Sequence, residues 1–244
     1  MNKQEISGNL QQLQKRIENA CLRVNRTSKQ IRLIPVTKTK SVGMIKMAIE
    51  LGITHVGENK VQELISKAEQ LPHEKLEWIL IGHLQTNKAK KIIQYIKEFH
   101  ALDSIKLAEK LNKELQYIDK KIDVFIQVNT SNEASKYGIQ PEQLADFLNE
   151  MQQFDQLNVV GLMTLALHTK QESQIRQCFQ LLRKLLDESR IYYPDISRLS
   201  MGMSGDFEIA IEEGATDIRV GQAIFGQRVL PDEYYWPKQG KSNG

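Results

Sequence analysis

The 244-residue sequence has little cysteine and almost no excess of charge of either sign. Its two cysteines, Cys21 and Cys178, lie far apart and form no CxxC pair, so we expect free, buried thiols in a reducing compartment. Lys and Arg number 33 against 30 Asp and Glu, which leaves a formal charge of +3. Nucleic-acid binding usually requires a clustered basic surface, so this balance argues against a nucleic-acid partner.

Long hydrophobic runs are absent as well. The longest apolar stretch, residues 159–167, is far shorter than the ~18 residues that a membrane span needs. The first residues include Glu5 and no apolar segment, so no signal peptide is predicted. HExxH, GxSxG and Cys/His metal-ligand spacings do not occur, so no metal site is predicted. We therefore expect a cytoplasmic protein without membrane association.

What the sequence does contain is a regular alternation of strand and helix patterns. A predicted helix over 1–25 precedes eight units of strand followed by helix. The predicted strands cover 31–37, 54–56, 77–81, 99–102, 123–129, 159–165, 196–200 and 216–220. This run predicts one (β/α)₈ TIM barrel with an extra N-terminal helix over 1–228, followed by a tail over 229–244. An open doubly wound sheet is the alternative, because alternation alone does not establish closure.

Signals for helix starts accompany several of these units. Ser41, Asp103 and Ser204 are predicted N-caps, and residues 169–172 (TKQE) read as a capping box. Pro141 is predicted at the first position of its helix, and Gly221 is predicted to open the last one.

Ligands bind at the carboxyl ends of the strands in both architectures, which directs attention to Lys38. Lys38 shares the parity of Ile34 and Val36, so it is predicted to point into the barrel mouth. A partly desolvated lysine amine there can condense with an aldehyde. Taken alone, an ordinary solvated lysine such as Lys40 is the more frequent outcome.

Polar residues also follow the second and third predicted strands. Asn59 offers an amide to a ligand, although it could equally belong to the first turn of the next helix. His83 could act as an acid or base near neutral pH or be purely structural. Lys88, Lys90 and Lys91 form a basic helix face of undetermined role.

The last two strands end in small and polar residues. Residues 200–206 (SMGMSGD) and the pair Gly221-Gln222 each precede a helix start, where backbone N–H groups can bind an anion. These two loops are the usual phosphate site of barrels, although capping by Ser204 and a tight turn at Gly221 explain them equally well. Arg219 lies inside a strand and needs a partner if buried, either a ligand atom or Asp217.

Together these segments resemble the pyridoxal phosphate homeostasis protein family. The resemblance covers about residues 31–228 and rests on the runs 36–40, 57–59, 78–88, 161–164, 199–207 and 218–226. Such proteins look like the barrel domain of alanine racemase and bind pyridoxal 5′-phosphate (PLP) as a lysine aldimine. The most specific runs are 200–206 and 219–226.

The resemblance implies a role for each of seven residues. Lys38 would form the Schiff base, Asn59 would lie beside the pyridine ring, and Arg219 would face the ring nitrogen. The phosphate would be surrounded by Ser200, Ser204, Gly221 and Gln222. The family often has a hydroxyl residue where this chain has Gln222, so a contact there would come from its backbone N–H.

These implied roles favour a binding protein over an enzyme. A permanently protonated Arg219 requires an unprotonated ring nitrogen, which makes PLP a weaker electron sink. No segment is found here for the additional domain that supplies a second base in racemases of this fold. We therefore expect a monomer that buffers or delivers PLP without substrate turnover, with PLP-dependent apoenzymes as candidate recipients. The alternatives are a racemase-like PLP enzyme acting on amino acids, and a barrel isomerase or lyase that uses Lys38 on a phosphorylated substrate.

Overall fold

The computed structural model describes residues 1–72, 74–133 and 136–227, so the predicted tail over 229–244 lies outside the described residues. Within these ranges eight strands occur: β1 Arg32–Pro35, β2 His55–Glu58, β3 Glu77–Leu80, β4 Ile96–Leu102, β5 Ile122–Gln127, β6 Leu157–Met163, β7 Arg198–Ser200 and β8 Asp217–Val220. The helices in the same ranges are α1 Lys3–Leu22, α2 Val42–Glu50, α3 Val61–Glu69, α4 Ala89–Ile92, α5 Ile105–Gln116, α6 Leu144–Met151, α7 Glu172–Ser189, α8 Phe207–Glu212 and α9 Gln222–Phe225.

The strands form one parallel sheet in the order β1-β8-β7-β6-β5-β4-β3-β2. A parallel bridge between Val36 and Gly57 joins the two outer strands of that order. Thr37 N donates to Gly57 O at 3.0 Å at the same place. The sheet therefore curls into a barrel, and the predicted (β/α)₈ fold is confirmed.

The helices cover the barrel with one apolar face each. In α5 the buried apolar side chains recur at helical spacing, and the charged residues other than Glu114 face outward. These buried side chains are Leu107, Ala108, Leu111 and Leu115.

Helix α1 precedes the first strand and packs on α8 and α9, the helices that follow β7 and β8. Asn9 Nδ2 donates to Ile224 O at 2.9 Å, and Arg16 pairs with Glu208 at 2.7 Å. The two cysteines are free and buried, as predicted. In the part of the chain that is described, no helix is both long and apolar enough to cross a bilayer.

The helix starts differ from the sequence expectations at three places. Ser41 caps α2 and Pro141 opens its short 3₁₀ turn as predicted. Asp103 does not cap α5, because the Ser104 side chain accepts from Leu107 N.

The other two differences lie at α7 and α8. The box at 169–172 is not formed, since α7 has Gln171 at its N-cap position without a side-chain bond. Helix α8 begins at Phe207 rather than Ser204, because Met203 N donates to Asp206 Oδ1 at 2.6 Å and closes a turn ahead of the helix.

Candidate functional site

The seven residues predicted to bind a ligand lie at or just after the ends of four strands that are consecutive around the barrel: β7, β8, β1 and β2. Ser200 ends β7 and Arg219 lies near the end of β8. Lys38 lies in the turn after β1, and Asn59 directly follows β2. Pairing of Ile34 with Arg219 aligns the ends of β1 and β8. The seven residues are thus placed along one side of the same barrel end.

The ends of β1 and β8 approach closely at Gly221. Val36 N donates to Val220 O at 2.9 Å, and a Cβ at Gly221 would lie 2.9 Å from Val36 O. Gly221 has an ordinary φ of −117°, so the close backbone contact and not a left-handed turn requires glycine here. Gln222 is exposed as the first residue of α9, and Ser204 is half-buried in the turn before α8.

The Lys38 segment is a tight turn. Lys40 N donates to Thr37 O at 2.9 Å, and Thr39 has a φ of +65°, which is unfavourable for a β-branched residue. Lys38 and Asn59 are both half-buried. A Cβ at Gly82 would lie 2.2 Å from Asn59 O, so the backbone after β3 packs directly against Asn59.

Arg219 is a buried cation, only 4% exposed. Its Nη1 donates to Ser200 Oγ at 2.6 Å and its Nη2 donates to Thr164 O at 2.8 Å. Among residues 1–72, 74–133 and 136–227, no carboxylate lies within 4 Å of it. Burial lowers the pKa of Arg219 to about 10, while the charges of Asp206 and Asp217 act in the opposite direction. The guanidinium is therefore charged at neutral pH and bound only to neutral acceptors.

Asp217, the alternative partner considered for Arg219, is engaged elsewhere. It pairs with Arg198 on β7 and lies 3.6 Å from Arg32 on β1. Glu98 on β4 joins this layer through Arg32 at 2.6 Å and Arg198 at 3.5 Å. Two arginines and two carboxylates thus neutralise one another beneath Arg219.

A hydrogen-bond chain connects this layer to Arg219 through Ser200 and His100. His100 Nδ1 lies 2.9 Å from Ser200 Oγ, and His100 Nε2 lies 3.0 Å from Glu98 Oε2. Burial would raise the pKa of Glu98, but the hydrogen bond from His100 and the charges of Arg32 and Arg198 lower it to about 2. Burial lowers the pKa of His100 and favours its neutral ring.

These protonation states give every bond in the chain a direction. An ionised Glu98 only accepts, so His100 Nε2 donates to it and His100 Nδ1 accepts from the Ser200 hydroxyl. The Ser200 oxygen in turn accepts from Arg219. Ser200 is 0% exposed and bonded on both sides, so its predicted phosphate contact stays a prediction, and its observed contacts are to Arg219 and His100.

The sequence analysis did not predict His100 or the layer of ion pairs beneath Arg219, which is formed by Arg32, Glu98, Arg198 and Asp217. The signal was available, because polar residues alternate in three of the strands and alternation places them on one face. They are Glu98 and His100 in β4, Arg198 and Ser200 in β7, and Asp217 and Arg219 in β8.

His83 lies apart from this chain. It stacks on Tyr137 with ring centroids 4.0 Å apart and lies 4.0 Å from Asp103. Within the described ranges, no three His, Cys, Asp or Glu side chains are grouped so that they could hold a metal ion.

The model of the alanine racemase N-terminal domain family matches residues 7–229, and with the fold it defines an alanine-racemase-like barrel. The pyridoxal phosphate homeostasis protein of Aquifex aeolicus is 38% identical over 220 residues, which are 90% of this chain and 96% of that protein. The chain therefore belongs to the family of pyridoxal phosphate homeostasis proteins, and the resemblance found in the sequence is confirmed.

Two solved structures are similar in fold. PipY of Synechococcus elongatus, solved with PLP bound, has a TM-score of 0.76 at 34% identity, covering 81% of this chain and 93% of PipY. Alanine racemase of Clostridium difficile has a TM-score of 0.70 at 16% identity, covering 94% of this chain and 57% of the racemase. The second likeness shows the fold alone.

Proposed function

We propose that this chain is a cytoplasmic PLP-binding protein that holds PLP on Lys38 as a Schiff base and buffers or delivers it without substrate turnover. Relatives named pyridoxal phosphate homeostasis proteins and the PLP-bound PipY structure support PLP as the ligand. PLP supplies an aldehyde that condenses with a primary amine and releases water. The proposal includes one barrel domain over 1–228, a monomeric state and PLP-dependent apoenzymes as recipients.

The observation that carries this proposal is the buried guanidinium of Arg219. A buried cation without an ion pair retains donor capacity for a further acceptor, and a pyridine nitrogen is a neutral acceptor of that kind. Ser200 and Thr164 hold the guanidinium in place from the side of the barrel interior. Arg219 would then keep the ring nitrogen unprotonated.

The loops on either side would bind the rest of the cofactor. Gly221 lets the end of β8 pack directly on Val36, and Ser204 and Gln222 lie at the starts of the neighbouring turn and helix. Ser204 and the backbone at Gly221 and Gln222 are proposed to bind the phosphate, with Ser200 supporting Arg219 below them. Asn59, half-buried after β2, would orient the ring.

Two features support a binding protein over an enzyme. Arg219 at the ring nitrogen weakens PLP as an electron sink compared with a carboxylate partner. A relative that is matched over 96% of its length is named a pyridoxal phosphate homeostasis protein rather than an enzyme. The racemase-like alternative is supported by the shared barrel fold alone.

The test is an absorbance titration of the purified protein with PLP, in the wild type and in Lys38→Ala. We expect a Schiff-base band in the wild type, its loss in Lys38→Ala, and its retention in Lys90→Ala, an exposed lysine on α4. A band that survives in Lys38→Ala would overturn the assignment of Lys38. Rapid exchange of the α-proton of any amino acid in D₂O by the loaded protein would overturn the absence of turnover.

A further inference from the structure

A buried polar cluster lies behind the turn that carries Lys38, and none of its members was predicted from the sequence as a site residue. It consists of Lys67 and Glu63 on α3, Glu58 on β2 and Thr37, and we call it the Lys67 cluster. Lys67 Nζ donates to Glu58 Oε1 at 2.6 Å and to Glu63 Oε1 at 2.7 Å. Thr37 Oγ1 also donates to Glu58 Oε1, at 2.7 Å.

The cluster bonds the backbone on both sides of Lys38. Lys67 Nζ donates to the carbonyl of Thr37 at 2.7 Å, and the amide of Thr39 donates to Glu63 Oε1 at 2.6 Å. Lys67 and Glu63 are four residues apart on one face of α3, so one helix face holds both flanks of the turn. Between these two hydrogen bonds, Thr39 has a left-handed φ of +65°.

Burial makes this arrangement costly in free energy. Glu58 is 0% exposed and Lys67 is 6% exposed. Glu58 Oε2 is buried without a hydrogen-bond partner. The pKa of Glu58 is raised above its ordinary value because burial disfavours the charged carboxylate, although the charge of Lys67 acts in the opposite direction.

An apolar contact between α3 and the barrel would fill the same space without the desolvation cost of two charges. What it could not provide is a donor to the Thr37 carbonyl and an acceptor for the Thr39 amide. The charged side chains of Lys67 and Glu63 therefore bind the backbone of the turn, which apolar side chains could not do.

We propose that Lys67, together with Glu63, is a positioning residue that fixes the Thr37–Lys40 turn and so holds the Lys38 amine where it meets the aldehyde of PLP. This inference rests on the proposed function. Lys67 itself does not touch the cofactor in this proposal. It acts through the backbone on either side of Lys38.

The experiment compares the affinities for PLP and for pyridoxamine 5′-phosphate, which has no aldehyde and cannot condense with lysine. In Lys67→Met we expect the Kd for PLP to rise about tenfold or more, while the Kd for pyridoxamine 5′-phosphate stays within about twofold of the wild type, tenfold being about 1.4 kcal/mol. A general loss of structure would instead weaken the binding of both ligands. Lys67→Arg keeps a donor for Thr37 and should restore most of the PLP affinity.

Two further variants test the same role if Lys67→Met does not fold. Glu63→Ala removes the acceptor of Thr39 at a partly exposed site and should show the same loss for PLP alone. Lys120→Met is the matched control, because Lys120 also donates to two backbone carbonyls, those of Ile93 and Gln94, ahead of β5 at the opposite end of the barrel. It should leave both affinities unchanged.

The outcomes separate the two proposals. A wild type that forms no Schiff base with PLP would overturn both. A wild type that forms it, with Lys67→Met and Glu63→Ala binding PLP as tightly as the wild type, would overturn the positioning role alone. Equal weakening for both ligands in these variants would also overturn it, in favour of general structural support.

Discussion

Arg219 donates to the hydroxyl oxygen of Ser200 at 2.6 Å, inside a barrel where no described carboxylate lies within 4 Å of the guanidinium. The contact joins β7 to β8 and makes Ser200 the link between Arg219 and His100. A cation held this way is oriented by neutral acceptors while its charge is left for a ligand.

Replacement of Arg219 by methionine should separate binding from stability. Hydrogen bonds that involve a charged group contribute about 1.5–3 kcal/mol, so we expect the Kd for PLP to rise about tenfold to a hundredfold. The Tm should stay unchanged or rise, because a buried charge without an ion pair is removed. A PLP titration and a thermal melt of Arg219→Met check this, and an unchanged Kd would show that the guanidinium does not contact PLP.

Ser200→Ala distinguishes the two roles considered for this residue. If Ser200 supports Arg219, as its contacts indicate, the substitution should raise the Kd for PLP and the Kd for phosphate-free pyridoxal by the same factor. A direct phosphate contact would instead make the loss specific for PLP. Parallel titrations with the two ligands give the answer, and we expect equal factors.

Glu98 should make stability depend on acidic pH. Its pKa is about 2 in the folded protein against 4.5 unperturbed, so its contribution is fully present above about pH 4.5 and is lost as pH falls toward 2. The difference corresponds to about 3 kcal/mol of unfolding free energy. Between pH 5 and pH 2, the free energy of unfolding measured with denaturant should therefore fall more steeply for the wild type than for Glu98→Gln. Identical pH slopes would contradict the ion pairs assigned to Glu98.

Gly221→Ala tests the close contact between β8 and β1. The new methyl group would lie 2.9 Å from Val36 O, so the strand ends must separate, and we expect weaker PLP binding together with a lower Tm. Gly8→Ala is the control, since nothing lies within 4 Å of its Cβ position in α1. That substitution should raise the free energy of unfolding by about 0.5–1 kcal/mol, because alanine is the better helix former. Equal PLP affinity in Gly221→Ala and the wild type would argue against a site at this contact.

The candidate site was accessible from the sequence only in part. Lys38, Asn59, Gly221 and Gln222 were predicted as site residues because they follow strands, and the ends of parallel strands meet at one edge. The caps at Asp103 and Ser204 were wrong because a neighbouring Ser104 or Asp206 competes for the same backbone N–H groups. Such competition depends on local geometry that a residue pattern does not contain.

The sequence by itself determined the number and order of the strand–helix units, and with them which residues lie at the carboxyl ends of the strands, whereas closure into a barrel was left open beside a doubly wound sheet. The tertiary structure alone decided which groups meet inside the barrel. His100 meets Ser200 across 100 residues of chain, and Arg219 meets Thr164 across 55. Strand periodicity tells which face a residue occupies, but only barrel closure and register decide the side chain across from it. For that reason, only the folded molecule shows the neutral partners of Arg219 and the hydrogen bonds that Lys67 and Glu63 of α3 make with the Lys38 turn.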